Sequence, residues 1–328
     1  MQTKHLFQTI GNTPLIQLNK IGNGTGVQLL AKLEFMNPAG SVKDRMALFI
    51  IEDAENRGLL KAGGTIVENS SGNTGAAIAM IAAVKGYRCI ITMPDKMSDE
   101  KINLMKAFGA EVVVTPTDVP ADSPESYYSV ARRIASEIPG AFYPDQYNSP
   151  LNIEAHYRTT GPEIWDQTDG SIDVFVAGIG TGGTLSGAGR FLKEKNPDIK
   201  IVAVDPEGSV FYDYFRTGSL PETHTYKVEG IGEDYLVKAV DFDLIDDMIQ
   251  VNDYNSFHTA RRLAKEEGLF AGGSSGSAVW AALQLAPQYS EGTRIVTILP
   301  DSGSRYLSKI FNDEWMRGYG FLKEEFEE

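Results

Sequence analysis

Apolar positions along this chain follow two rhythms. Short aliphatic and β-branched runs occupy 15–18, 27–34, 65–68, 89–93, 111–114, 174–177, 201–204 and 294–299, and they predict strands. Between them, apolar residues recur every three or four positions. This spacing predicts helices over 41–58, 76–84, 98–108, 126–137 and 153–166, from the glycines at 178–183 to about 194, and over 254–267. Strand, polar loop and helix follow one another repeatedly, which is the βαβ unit of a parallel sheet. The fold class expected is α/β, with open twisted sheets. The Gly- and Pro-containing stretch 205–232 is expected to be irregular, and the acidic residues 323–328 to form a solvated tail. No repeat of fixed period, low-complexity tract or flexible linker interrupts the series.

Length changes this picture in one respect: 328 residues exceed one ordinary core, so two lobes are expected. The first half reads as a smaller α/β lobe, and a second series begins near residue 148. Composition is that of an ordinary globular protein, 42% hydrophobic and 23% charged. With a net charge of −14 and no basic block, neither nucleic acid nor an acidic membrane is an expected partner. The longest apolar run, 76–84, is too short to span a bilayer. Cys89 is the only cysteine and lies within a strand pattern, so it suits a buried thiol, and a reducing cytoplasm fits. His5, His156, His224 and His258 lack the spacing of zinc ligands, so no metal is expected.

Candidate chemistry starts at Asn37-Pro38-Ala39-Gly40-Ser41-Val42-Lys43-Asp44-Arg45, a turn opening into a helix. Ser41 and Asp44 read as a capping box. Lys43 then sits at the positive end of its own helix, which favours the neutral amine needed to form an imine with an aldehyde. Three polar loops follow strands, where ligands of open parallel sheets bind. Gly178-Ile179-Gly180-Thr181-Gly182-Gly183-Thr184 is a phosphate cradle, and with Asp205 closing the next strand it equally fits a dinucleotide fingerprint. Ser71-Gly72-Asn73-Thr74-Gly75 can hold a small carboxylate or only cap a helix. Gly272-Gly273-Ser274-Ser275-Gly276-Ser277 is a third such loop. Together with Lys43, the three suit a phosphorylated aldehyde cofactor beside an amino-acid carboxylate.

These motifs, Pro38 to Arg45, Ser71 to Gly75 and Gly180 to Thr184, in that order, resemble the fold-type II pyridoxal-phosphate enzymes of the cysteine synthase and cystathionine β-synthase group. The resemblance spans about residues 11–315. It is stronger to the cystathionine β-synthase branch, through Asp145-Gln146-Tyr147, Asp205-Pro206-Glu207-Gly208-Ser209 and Val228-Glu229-Gly230-Ile231-Gly232. Ser70 stands where the group usually has threonine, and Asn69 where it usually has proline.

The resemblance implies a fold like that of the tryptophan synthase β-chain. Residues 1–12 plus 37–148 would form the smaller, mobile domain, and 13–36 plus 149–328 the larger one. It implies pyridoxal 5'-phosphate, joined to Lys43 as a Schiff base. Asn73 would bond the ring hydroxyl, Gly180, Thr181, Gly182, Gly183 and Thr184 the phosphate, and Ser274 the pyridine nitrogen. Ser71, Gly72, Asn73, Thr74 and Gln146 would hold the substrate carboxylate, with Tyr147 and Glu229 at the mouth. A homodimer acting on an amino acid and a thiol is implied as well. A haem-binding N-terminal segment and a C-terminal regulatory domain pair are not expected.

The implied reaction is β-replacement on serine or an activated serine, in which Lys43 removes the α-proton and a hydroxyl at the ring nitrogen favours elimination over transamination. Serine and homocysteine, giving cystathionine, are the expected pair, while acetylserine as first substrate and sulfide as second stay open. So do two readings from other classes: a dinucleotide oxidoreductase, and a silent module whose loops bind an anion.

Overall fold

The computed structural model describes residues 5–120 and 122–323. The tail expectation falls largely on 324–328, outside the described residues. In chain order the elements are β1 (Leu15–Gln17), β2 (Gln28–Leu33), α1 (Lys43–Asn56), β3 (Thr65–Asn69), α2 (Asn73–Lys85), β4 (Arg88–Pro94), α3 (Asp99–Ala107), β5 (Glu111–Thr115) and α4 (Tyr127–Glu137). They continue with α5 (Leu151–Arg158), α6 (Thr160–Gln167), β6 (Val174–Gly178), α7 (Gly183–Lys195), β7 (Lys200–Pro206), α8 (Phe211–Thr217), β8 (Asp247–Val251), α9 (Asp253–Arg262), α10 (Gly273–Leu285), β9 (Arg294–Leu299) and α11 (Asp313–Gly318).

Two sheets result. The larger has the order β1-β2-β9-β6-β7-β8, parallel except for β1 against β2, and the smaller is the parallel β3-β4-β5. Strand β6 shows why the large sheet is covered on both faces. Phe175 and Ala177 enter one apolar cluster while Val174 and Val176 enter another, the period of two expected of a strand. The small sheet packs on α1 and α2, and residues 76–82 of α2 are all buried, as for a helix that is apolar all round. Cys89 lies buried on β4, where burial pushes its thiol up to about 12. Among the described residues, no helix is long and apolar enough to cross a membrane.

Several expected elements are corrected. Helix α1 starts at Lys43 after Val42, without a side-chain cap. Gly40, at φ +83°, lets the chain double back so that Asp44 accepts from the Ala39 amide at 2.6 Å; the capping box does not form. The helix expected over 153–166 is two, broken at Thr159 (φ −125°, ψ −66°) ahead of Pro162, which has no N–H to donate. Within 205–232 lies α8, and β8, α10 and α11 are further elements that the pattern did not predict. Helix α10 was hidden because its first turn is Gly273 to Ser277, residues that read as loop. The small side chains let α9 come close: a Cβ on Gly276 would run into the Ser256 carbonyl.

Candidate active site

Lys43 is placed by the large sheet although its helix packs on the small one. The Val42 amide donates to Pro300 O at 2.8 Å, just past β9, and Ser41 bridges to Asp301. A buried ion network holds the same helix: Arg45 pairs with Glu34 (2.7 Å) and Glu163 (2.6 Å), and Lys32 with Glu163 (2.7 Å). Burial works against ionisation of Glu34, but Arg45 outweighs it and holds the carboxyl at about 2.

One cavity of about 640 Å³ gathers most of the sequence-derived candidates: Lys43, Ser71, Asn73, Thr74, Gln146, Tyr147, Gly180, Thr181, Glu229 and Ser274. Gly72, Gly182, Gly183 and Thr184 do not line it. Gly72 precedes the first residue of α2, and Gly182 to Thr184 continue from the lining residue Thr181 into α7. Four helices, α1, α2, α7 and α10, therefore begin at this cavity, each offering amides with no acceptor in its own helix.

The glycines of the α7 turn are sterically required. A Cβ on Gly180 would lie 2.6 Å from Gly230 O, and one on Gly182 (φ +82°) 2.7 Å from Ala239 O. At Gly183 a Cβ would collide with the Asn152 side chain, whose amide donates to Thr181 Oγ1 at 3.0 Å and whose Oδ1 has no partner. His156 Nε2 lies 3.3 Å from Thr184 Oγ1; burial, with Lys43 and Arg45, pushes this imidazole down to about 3, so it is neutral. A helix N-terminus cleared of side chains and lined by Thr181 fits a phosphate group.

Burial lowers the Lys43 amine to about 8, against the opposing pull of Asp301 and Glu233. The direction agrees with the expectation from helix position, but the cause is desolvation. Asn73 bonds Asp301 (2.8 Å) and Arg305, and Thr74 bonds Gln146, so the loop from Ser71 to Gly75 is oriented by its neighbours. Glu229 pairs with Lys101 and with Lys309 (2.7 Å). Burial opposes its ionisation, but the two ammonium groups hold it at about 2. Asp205 does not line the cavity. It is fully buried and accepts from the Tyr212 amide at 2.9 Å, so the acid of the dinucleotide fingerprint serves the turn into α8.

Sequence reasoning missed Lys101, Lys309 and Arg305, whose helix and loop positions carry no local signal. It also missed Glu233, which lines the cavity one residue beyond the Val228 to Gly232 motif. A carboxylate directly after a Gly-x-Gly turn was the available sign.

Fold and cavity together describe an α/β protein with a buried lysine of lowered pKa beside a helix start that fits a phosphate group. Residues 6–301 match the family described as pyridoxal-phosphate dependent enzyme, and the chain belongs to it. It is 50% identical to cystathionine beta-synthase of Rattus norvegicus over 98% of this chain and 57% of that protein. With the Dictyostelium discoideum enzyme of the same name, identity is 46% over 98% of this chain and 64% of that one. The chain thus spans less than two thirds of the length of these relatives. The crystal structure of O-ureido-L-serine synthase superposes with a TM-score of 0.88 at 36% identity, covering 97% of this chain and 100% of that one.

Proposed function

We propose that this protein catalyses β-replacement on L-serine with a thiol, forming cystathionine from serine and homocysteine. The observation that carries the reading is the single cavity in which Lys43 faces the beginnings of α2, α7 and α10. The 50% identity to cystathionine beta-synthases supports serine and homocysteine as the substrates. A solved relative named for an O-substituted serine keeps an acetylserine-dependent cysteine synthase as the second reading.

In this reading the amides of Gly180 to Thr184 and the Thr181 hydroxyl hold the phosphate. Lys43 is the covalent anchor, Asn73 meets the ring hydroxyl and Ser274 the ring nitrogen. Pyridoxal phosphate supplies the electron sink that makes the α-proton of an amino acid removable. Ser71, Gly72, Asn73, Thr74 and Gln146 orient the substrate carboxylate, so that the α-proton lies within reach of Lys43 Nζ. An amine near neutrality is suited to hold that proton and return it. Tyr147 and Glu229 border the entrance for the second substrate, and the paired lysines beside Glu229 attract its carboxylate. Residues 1–12 and 37–148 act as a smaller lobe that closes over the larger one, 13–36 and 149–328. A cytoplasmic homodimer accords with the single buried thiol and the family resemblance.

The test is a product assay crossing serine and acetylserine with homocysteine and sulfide. Cystathionine from serine is the expected product. Turnover with acetylserine and sulfide alone would overturn this reading in favour of the second.

A further inference from the structure

One carboxyl in the cavity has no role in the scheme above. Glu233 lines the wall with Lys43, and each charge acts on the other. Its backbone is fixed on both sides: the Glu233 amide donates to Ser209 Oγ at 3.0 Å, and its carbonyl accepts from the Val210 amide at 3.1 Å. The preceding Gly232, at φ +79°, donates to Ile179 O at 2.7 Å, and a Cβ there would strike Pro206 and Tyr226. The turn that presents the carboxyl is thereby seated against the phosphate loop, which gives the side chain a defined direction.

Its surroundings favour the protonated acid. Among the described residues no lysine or arginine forms an ion pair with it, whereas Glu229, four positions earlier, has two. The Tyr147 hydroxyl donates to it, Asp234 adjoins it, Lys43 and Lys96 act from a distance, and Tyr127 and Tyr128 of the α4 segment close the space around it. Burial and then Asp234 push the carboxyl up to about 8, against the Tyr147 bond and the two lysines. Near neutral pH both its forms are accessible, as an acid–base catalyst requires.

We propose that Glu233 is a catalytic proton carrier, giving a proton to the departing β-oxygen of serine and then taking one from the incoming thiol. This rests on the β-replacement reading. In the first half, the Cβ–O bond breaks with its electron pair on oxygen, the Glu233 proton joins that oxygen, and water leaves. In the second, a sulfur lone pair forms the Cβ–S bond, the S–H bond breaks, and its proton returns to Glu233. The α-proton stays at Lys43 Nζ until Cα takes it back. Serine and thiol become thioether and water, and both residues end as they began. Acetate, a stable anion, leaves without the first proton, so the donor itself discriminates.

The experiment compares the parent holoenzyme with Glu233→Gln and Glu233→Asp in rapid-mixing half-reactions, with serine or acetylserine and no thiol. The Gln variant should slow roughly 10²–10⁴-fold with serine and stay within about fivefold of the parent with acetylserine. The Asp variant, which keeps an acid, should recover at least about a tenth of the serine rate. In cofactor-free protein, infrared difference spectra should show a protonated carboxyl at about pH 6 that ionises by about pH 10 and is missing in the Gln variant. Equal slowing with both donors, serine rates unchanged in the Gln variant, or a carboxyl already ionised at about pH 6 would each overturn the role of Glu233. A parent that converts neither donor refutes the β-replacement reading, and this proposal with it.

Discussion

The two ends of the cavity are made from different materials. The inner end is mostly backbone: the starts of α2, α7 and α10, with glycines whose absent side chains let neighbouring segments of the protein pack close. The proposed mouth is made of side chains brought from afar. Lys101 and Lys309 stand 128 and 80 residues from Glu229, and the tyrosines at 127, 128 and 147 come from α4 and the segment after it. A backbone nest offers its donors once the turn has formed. A side-chain mouth depends on which charges find partners, so two glutamates on one loop end in opposite states, Glu229 near 2 and Glu233 near 8.

The largest test of the contrast is at the inner end, where chemistry should be concentrated. Lys43→Ala should lower turnover by roughly 10³-fold or more and abolish the visible absorbance of the bound cofactor. A variant retaining a tenth of the parent rate would put the chemistry elsewhere. Next comes the mouth. Glu229→Gln strands the ammonium of Lys101, which is 4% exposed, and should cost about 3 kcal/mol of stability in denaturant titration. An unchanged midpoint would mean that the pair is solvated in solution.

A smaller effect of a different kind is expected from Gly183→Ala, which forces a methyl group against Asn152. Cofactor affinity should fall by about 1–3 kcal/mol, followed by titrating the cofactor-free protein. Catalysis after saturation should change little, because the added methyl group meets Asn152 and not Lys43.

The two glutamates also predict opposite pH slopes of stability. Glu229 is depressed, so its contribution is full above the unfolded value near 4.5 and is lost as pH falls toward 2. Glu233 is raised, so the folded state binds more protons than the unfolded one between about 4.5 and 8. Its contribution is full below that window and lost as pH rises through it. Subtracting the profile of each Gln variant from the parent should isolate the two slopes, even though Asp44, Glu68 and Asp205 are also raised. Slopes of the same sign would erase the distinction between the two residues. The smallest change is Ser126→Ala: loss of the cap that accepts from the Ser129 amide should cost about 1 kcal/mol and loosen the α4 side of the mouth.

Much of the inner end was legible because its signals are contiguous. A strand followed by Gly180, Thr181, Gly182 and Gly183 points to an anion-binding turn, though it fits a dinucleotide fingerprint as well, and Lys43 follows a turn that has Gly40 at a positive φ. The boundaries were less legible. Ser41 and Asp44 carry the letters of a capping box, yet Asp44 closes the turn to Ala39 because Val42 is tied to Pro300. Gly273 to Ser277 has the composition of a loop but is helical, since α9 needs that closeness. Lys101 and Lys309 could not be selected from many charged residues, because the chain locally says nothing about which of them meet Glu229.

The sequence by itself determined the α/β order and singled out Lys43 and the glycine-rich turn before α7 as candidates, because each depends on neighbours a few residues apart. Only the tertiary structure decided that Lys43 is lowered by burial, that Glu229 is a paired anion and that Glu233 is a raised acid, bonded by Tyr147, in the same cavity as the lysine. Desolvation and charge pairing are properties of what surrounds a group in space, and those surroundings come from segments the sequence keeps far apart.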